Sequence, residues 1–372
     1  MTIKRALITG GAGFIGSHLA RELLARGYEV RALDSLVSQV HGIERHRPAY
    51  LPADVELVLG DVREPDTVRA ALDGIDVVVH LAARVGVGQS MYELADYISV
   101  NTMGTAVLLD ALIEHPVQRL VVASSMSIYG EGLYRDPAGR VVTEIQRTPQ
   151  QLARGDWEVR GADGEVLVPI PTPETKSPAL SSVYALSKYD QERLCLMIGA
   201  AYNIPTVALR LFNVYGPHQA LSNPYTGVLA IFAARLLNGR PPLVFEDGLQ
   251  RRDFVHVHDV ASAFRLALEV DAAAGGVFNI ASGNALTIRE IAQRMARVLD
   301  RPIAAAITGE YRVGDIRHCT ADIALARQVL GYRPHVEFDA GLRDLAAWLA
   351  TQRATDRVDT MRAELLSRGL AL

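Results

Sequence analysis

The sequence predicts a doubly wound α/β fold: a parallel sheet with helices on both faces, followed by a smaller C-terminal α/β unit. Three observations carry this expectation. Short apolar runs alternate with amphipathic stretches through the first half of the chain, the pattern of strands buried on both faces and joined by crossover helices. A glycine-rich turn, Gly10 to Gly16, joins the first apolar run to the first amphipathic one. After Gly216-Pro217 the rhythm loosens, loops lengthen and short strands mix with helices.

In order, Ala6 to Thr9 reads as a strand and Phe14 to Arg26 as a helix; Glu29 to Asp34, Val55 to Leu59, Val77 to Leu81 and Leu120 to Ser124 read as further strands. Met91 to Glu114 carries one long helical pattern, Ser182 to about Ala201 another, and Thr206 to Leu211 is a strand. Beyond Pro217, short strands are expected at Leu243–Phe245 and Asp253–His256, and helices at Val260–Val270, Ile288–Leu299, Ile323–Leu330 and Ala340–Ala350. Segment 133–175 breaks the rhythm; within it Trp157 to Val168 suits a hairpin turning at Asp163-Gly164. A segment this long inside a compact unit is usually functional or mobile.

Composition excludes several classes. Net charge is −4 from 38 basic and 42 acidic residues, so no basic surface is available for nucleic acid or an anionic membrane. The longest apolar run, Gly227 to Ala234, falls far short of a membrane span. A strand pattern begins within five residues of the N-terminus, leaving no room for a signal peptide, and a cytoplasmic protein is expected. Two cysteines, Cys195 and Cys319, cannot build a disulfide framework. Only three of the basic residues are Lys: Lys4, Lys176 and Lys188.

The glycine turn has the strand before it, the helix after it and the downstream acid that a dinucleotide site needs. Gly10, Gly13 and Gly16 allow backbone to approach a pyrophosphate, with Phe14 and Ile15 opening the helix whose free N–H groups meet it. Asp34 closes the second strand and suits both ribose hydroxyls; it would repel a 2′-phosphate, so NAD is expected rather than NADP. Asp61-Val62 suits the adenine edge, and Leu81, Ala82 and Ala83 follow the fourth strand beneath the cofactor. His80 reads best as a half-buried histidine at that strand's end.

Tyr184-Ala-Leu-Ser-Lys188 opens the second long helical pattern. A spacing of four puts phenol and ammonium on one helical face. The ammonium favours phenolate and so turns a poor base into a usable one. Ser124-Ser125 ends the fifth strand at the sheet edge where ligands of such folds bind.

With these motifs the chain resembles the extended short-chain dehydrogenase/reductase superfamily, in its NAD-dependent nucleotide-sugar epimerase/dehydratase branch. The resemblance runs from about residue 3 to 350 and rests on Thr9 to Gly16, Asp34, Asp61-Val62, Leu81 to Ala83, Val100-Asn101 to Thr105, Ser124 to Gly130, Tyr184 to Lys188, Arg210 to Pro217 and Arg252 to Asp259. It implies a Rossmann-type doubly wound parallel sheet with a smaller C-terminal α/β substrate-binding domain. The expected NAD-binding domain is 1–216 plus about 257–281; the nucleotide-sugar domain is 217–256 plus 282–355; 356–372 is a tail. It implies Ser125, Tyr184 and Lys188 as the catalytic group, Asn101 and Phe212 beside the cofactor, and a homodimer through a four-helix bundle formed by helices near 91–114 and 182–201.

The residues after the serine bear on the reaction. The branch's 4,6-dehydratases carry Asp-Glu there and its decarboxylases a Glu two before the motif tyrosine; this chain has Met126-Ser127. Ser125, Tyr184, Lys188 and NAD are the minimal set for reversible oxidation at one carbon, which implies a nucleotide-sugar 4-epimerase. Family positions also imply substrate contacts at Gln89, Ser90, Ser125, Ser127, Asn213, Phe245, Arg252 and Arg312, the two arginines on the diphosphate. Cys319 falls where relatives tune sugar size, or is a small half-buried residue. His256-Val-His258-Asp259 reads as a strand-to-helix junction with Asp259 as N-cap, and no metal is expected. Tyr129 and Tyr184 stand 55 apart (184 − 129), about thirty more than in most relatives, so 133–175 is an insertion and a lid over the sugar is expected. The insertion is similar to that of the dTDP-L-rhamnose 4-epimerase group, which makes a dTDP-6-deoxyhexose the expected substrate. The alternatives are a UDP-glucose, UDP-N-acetylglucosamine or uronate 4-epimerase, a one-way dehydrogenase, dehydratase or decarboxylase, and an NAD-sensing binding protein.

Overall fold

The structure, a computed structural model, describes residues 4–143, 145, 147–220, 227–312, 314–352 and 358–370. Of the tail expected at 356–372, residues 356, 357, 371 and 372 lie outside the described residues, as do 144 and 146 of the insertion.

The first unit alternates strand and helix: β1 (Arg5–Thr9), α1 (Phe14–Leu24), β2 (Glu29–Asp34), a short α2 (Ser38–His41), β3 (Glu56–Leu59), α3 (Pro65–Leu72) and β4 (Val77–His80). The single helix expected from Met91 to Glu114 is instead divided. After a separate one-turn α4 (Val87–Ser90), it comprises α5 (Leu94–Tyr97), a π-helical turn (Ile98–Met103) and α6 (Gly104–Glu114). The π turn adds a residue to the helical spiral and carries Asn101 into the interior, where it is fully buried. β5 (Arg119–Ser125) follows.

The insertion has its own small sheet of β6 (Leu133–Arg135), β7 (Val141–Val142) and, after the one-turn α7 (Pro149–Leu152), β8 (Val168–Ile170). The expected hairpin is present: Arg160 bridges Val166, and Gly164 takes a φ of 83° at the turn. Tyr134, Val159 and Leu167 form a minor core beneath it.

The chain returns through α8 (Val183–Ala201), β9 (Thr206–Leu211) and β10 (Asn213–Tyr215). Next come α9 (Val228–Leu237), β11 (Leu243–Val244), β12 (Arg251–His256), α10 (Val257–Glu269), β13 (Val277–Ile280), β14 (Ala285–Thr287), α11 (Ile288–Val298), β15 (Ala306–Ile307), β16 (His318–Cys319), α12 (Phe338–Leu349) and α13 (Val358–Ser367). The helix expected at Ile323–Leu330 ends in a π turn, Ala326–Leu330.

Seven parallel strands form the main sheet, in the order β13-β9-β5-β4-β1-β2-β3. Its inner strands β4, β5 and β9 are buried along their whole length, which is why they read as continuous apolar runs rather than alternations. The two faces pack separate cores, one with Leu19, Leu23 and Phe264 from α1 and α10, the other with Leu108, Leu112 and Cys195 from α6 and α8. β13 was not anticipated as a strand; it has four residues, and only its partner β9 defines it.

In the smaller unit β12 pairs with β10, β14 and β16. α9, α11 and α12 enclose a core of Phe232, Ile291, Met295, Leu342 and Leu345. Leu365 of α13 is buried against Tyr92 of the first unit and Ile231 and Leu243 of the second. No described helix is long and apolar enough to cross a membrane.

Asp259 does not cap α10. His256 does, accepting from the His258 N–H, while the buried Asp259 carboxylate accepts from the backbone N–H groups of His335 and Val336. Of the lysines, Lys4 is exposed, whereas Lys176 is buried and donates to the Tyr129 carbonyl at 2.8 Å.

Candidate active site

The carboxyl ends of the main strands open into a cleft of about 670 Å³ that continues into the smaller unit. It is built from the turns at those strand ends. Gly10 takes a φ of 70°, and a Cβ there would sit 2.9 Å from the Ala82 nitrogen; a Cβ at Gly16 would lie 2.5 Å from the Gly10 carbonyl oxygen. Only glycine lets the turn, the helix start and the Leu81-Ala82 strand end close to this extent. Asp34 is held at the cleft by the N–H groups of Ala12 (3.0 Å) and Leu36 (2.9 Å), with His41 Nε2 at 3.7 Å. Glycine turn, helix N-terminus and ribose-facing carboxylate together fit a dinucleotide.

At the other end of the main sheet's edge, Ser125 terminates β5, and its Oγ accepts from the Ser127 N–H at 3.1 Å. The Ser182 hydroxyl caps α8 by accepting from the Ala185 N–H, and the Ser90 hydroxyl accepts from the Tyr184 N–H at 3.0 Å. The first turn of α8 is therefore fixed from both sides, so Tyr184 and Lys188 enter the cleft one helical turn apart. Burial pushes the Tyr184 phenol up, and a hydrogen bond with Ser125 opposes this. Burial lowers the Lys188 ammonium to about 8. Its Nζ donates to Gln191 Oε1 at 2.6 Å, and Gln191 Nε2 is in turn tied to Thr105 Oγ1 (2.9 Å) and His80 Nε2 (3.0 Å). His80 is buried and neutral, bridging Thr9 and Thr105.

Of the residues expected at the site, Gly10, Gly13, Phe14, Ile15, Gly16, Asp34, Asp61, Val62, Leu81, Ala82, Ala83, Ser125, Ser127, Tyr184, Lys188, Phe212, Asn213, Phe245, Arg252 and Arg312 line the cleft. Four do not. Asn101 stands behind it, accepting from the Arg84 N–H (2.6 Å) and donating to Ser187 (2.9 Å). Gln89 is bonded to Gln39 and Glu93, and Ser90 supports Tyr184 as described. Cys319 is buried on β16 against Thr172. Nor does any described residue of 133–175 line the cleft, where a lid was expected. The insertion docks behind the wall instead: the Thr172 N–H donates to the Thr320 carbonyl, and just ahead of the insertion the Gly132 N–H donates to the His318 carbonyl.

Gln191 was not anticipated. Its signal is spacing: positions 184, 188 and 191 lie on one face of α8. At the smaller unit, Arg252 donates to the carbonyls of Arg317 (2.8 Å) and Ile316 (2.5 Å). Arg312 pairs with Asp315 and lies 4.8 Å from the centre of the Phe245 ring.

His256, His258 and Asp344 bring potential metal-ligand atoms within 4.8 Å of one another. However, His256 Nδ1 accepts from the His258 N–H at 3.4 Å. The neutral ring therefore carries its proton on Nε2, facing the Asp344 carboxylate at 3.3 Å. His256 Nε2 nevertheless makes no hydrogen bond there.

Residues 6–150 and 158–281 match the family model described as "NAD dependent epimerase/dehydratase family". The chain is 35% identical over 353 residues to a dTDP-L-rhamnose 4-epimerase of Burkholderia thailandensis, covering 94% of this chain and 96% of the relative. A UDP-N-acetylglucosamine 4-epimerase of Methanobrevibacter ruminantium, solved with UDP-N-acetylmuramic acid, superimposes with a TM-score of 0.78 at 28% identity, covering 95% of this chain and all of the other. A UDP-glucose 4-epimerase of Thermus thermophilus, solved with NAD, gives 0.73 at 31% identity, covering 94% and 100%.

Proposed function

Since the chain belongs to the NAD dependent epimerase/dehydratase family, we propose that it is an NAD-dependent nucleotide-sugar 4-epimerase. The observation that carries the reaction type is the state of the cleft's carboxylates. Asp34 is engaged by backbone N–H groups, Asp61 by Arg63, Asp96 by Arg84 and Asp315 by Arg312. Beside Ser125 stand Met126 and Ser127. Among the described residues lining the cleft, no acid is left to protonate a leaving hydroxyl, as a dehydratase requires.

NAD, when bound, supplies the hydride acceptor and then the hydride donor. The residues move and hold the proton. Tyr184, as phenolate, takes the proton of the sugar C4 hydroxyl and returns it after the 4-keto sugar has presented its other face. Lys188, on the same helical face, stabilises the phenolate charge, and the Ser125 hydroxyl holds the reacting oxygen. Asp34 reads the adenosine ribose. Asn213, Phe245, Arg252 and Arg312 face the nucleotide diphosphate. A firm hold there suits an intermediate that must rotate without leaving.

The 35% identity to a dTDP-L-rhamnose 4-epimerase supports a dTDP-6-deoxyhexose as substrate. A UDP-hexose is the second reading, favoured by the superposition on UDP-sugar 4-epimerases. The division into an NAD-binding domain of 1–216 plus 257–281 and a nucleotide-sugar domain of 217–256 plus 282–355 is supported by β13, which joins the main sheet from the far side of the smaller unit. A homodimer through α5–α6 and α8 is supported by exposed Leu94, Ile98, Met103, Leu186 and Met197 on those elements. Two free buried thiols support a cytoplasmic location.

The deciding experiment is NMR of products after incubation with dTDP-, UDP-, GDP- and CDP-sugars. Inversion at C4 without loss of water or carbon dioxide is expected; a 4-keto-6-deoxy product or no turnover would overturn the reading.

A further inference from the structure

Two charged side chains of the insertion leave their own small sheet and enter the smaller unit. Arg147 is buried; its Nη1 donates to Glu246 Oε1 at 2.7 Å and its Nη2 to the Asp315 carbonyl at 2.9 Å. Glu158 accepts from Arg317 at 2.5 Å and lies 3.3 Å from His318 Nε2. Arg317, with no exposed surface, also binds the second oxygen of Glu246 and both oxygens of Asp247.

This network joins two stretches of chain, 245–252 and 312–318. Those stretches present Phe245, Arg252 and Arg312 to the cleft. Glu246, next to Phe245, holds a φ of 54°. A left-handed residue other than glycine is strained and persists only where its surroundings over-determine it. Here two arginines grip its carboxylate, one of them from the insertion.

We propose that the insertion is a rear brace for the nucleotide-diphosphate end of the cleft, with Arg147 as the positioning residue that holds the Phe245 turn against the Arg312–Arg317 loop. The brace rests on the nucleotide-sugar reading above. Arg147 touches neither cofactor nor substrate space; it bridges the backbone at Asp315 and the side chain at Glu246, so it sets the spacing of the groups in front. A staple serving the fold alone would alter stability without separating KM from kcat.

The test compares Arg147→Gln and Glu158→Gln with Arg160→Gln, whose ion pair with Asp156 stays on the insertion's surface. Binding of dTDP and UDP is measured by calorimetry, alongside KM, kcat and bound NAD. Losing one member of such a network is expected to raise the Kd for the nucleoside diphosphate and KM roughly tenfold. The expected kcat stays within about twofold of wild type in that range of couplings, and NAD content is unchanged. Arg160→Gln should match wild type. Unchanged Kd and KM in folded Arg147→Gln and Glu158→Gln proteins would overturn the brace, as would unfolding of both, which would make the network a fold staple. Failure of the wild type to bind either diphosphate would overturn the functional reading beneath it.

Discussion

Tyr184, Lys188 and Gln191 form one line on α8, and their electrostatics define the chemistry. Burial raises the phenol and lowers the ammonium to about 8, and in so low a dielectric a positive charge one helical turn from the phenol is weakly screened. Tyr184→Phe is expected to keep NAD bound and lose roughly 10²–10⁴-fold in kcat, the usual scale of general acid–base catalysis; activity near wild type would remove Tyr184 as the base. Gln191 accepts from Lys188, an interaction that favours the charged amine. Gln191→Leu should therefore lower the Lys188 pKa and move the alkaline limb of the kcat profile to lower pH; an unmoved limb would show that Gln191 does not act through Lys188. Tyr184 and Lys188 were legible in the sequence because a spacing of four, a glycine turn and a serine strand end coincide. Gln191 was not, because a glutamine on a helix has no distinguishing pattern until its partners His80 and Thr105 are placed from other elements.

Elements were legible where local pattern decides them and less so where tertiary contacts do. β1, α1 and the glycine turn between them follow from sequence. A Gly16→Ala methyl would meet the Gly10 carbonyl oxygen at 2.5 Å, so the variant should purify with little or no NAD; full NAD occupancy would refute the close-packed turn. The division of the 91–114 helix was not legible, since its apolar spacing continues through the π turn. The turn's purpose is visible in Asn101, which serves the backbone N–H and carbonyl of Arg84 together with Ser187. Asn101→Leu would leave the buried Ser187 hydroxyl and the half-buried Arg84 backbone groups without this partner, costing about 1–3 kcal/mol; thermal unfolding should shift down accordingly. β13 escaped notice because four residues carry too little pattern; that Gln89, Ser90 and Cys319 lie off the cleft was not legible either, because facing direction depends on how loops pack.

On the scale of the whole molecule, stability should fall on acidification. Burial holds His18 at about 4 and His80 and His256 at about 3. Above about pH 6.5 these imidazoles are neutral whether folded or unfolded and contribute nothing. Below it the unfolded chain binds protons that the folded chain refuses, so stability declines by about 1.4 kcal/mol per pH unit for each fully engaged imidazole. Glu158, held at about 2 first by its bond to His318, adds a loss only below about pH 4.5, the ordinary glutamate range. The Tm should thus be flat from pH 8 to 7 and drop between pH 6.5 and 5; an unchanged Tm at pH 5 would contradict the buried, neutral placement. The overall plan was legible from alternation and composition. How the insertion sits was not, because its contacts are charge pairs between segments far apart in sequence.

The scarcity of lysine has a practical corollary. Lys188 lies in the cleft and Lys176 is spent on the Tyr129 carbonyl, while Lys4 is exposed just ahead of β1, at the end of the sheet opposite the cleft. Among the lysines, an amine-coupling reagent thus meets one free handle. A bead or dye attached there would leave the mouth of the cleft unobstructed and the reactive ammonium unmodified.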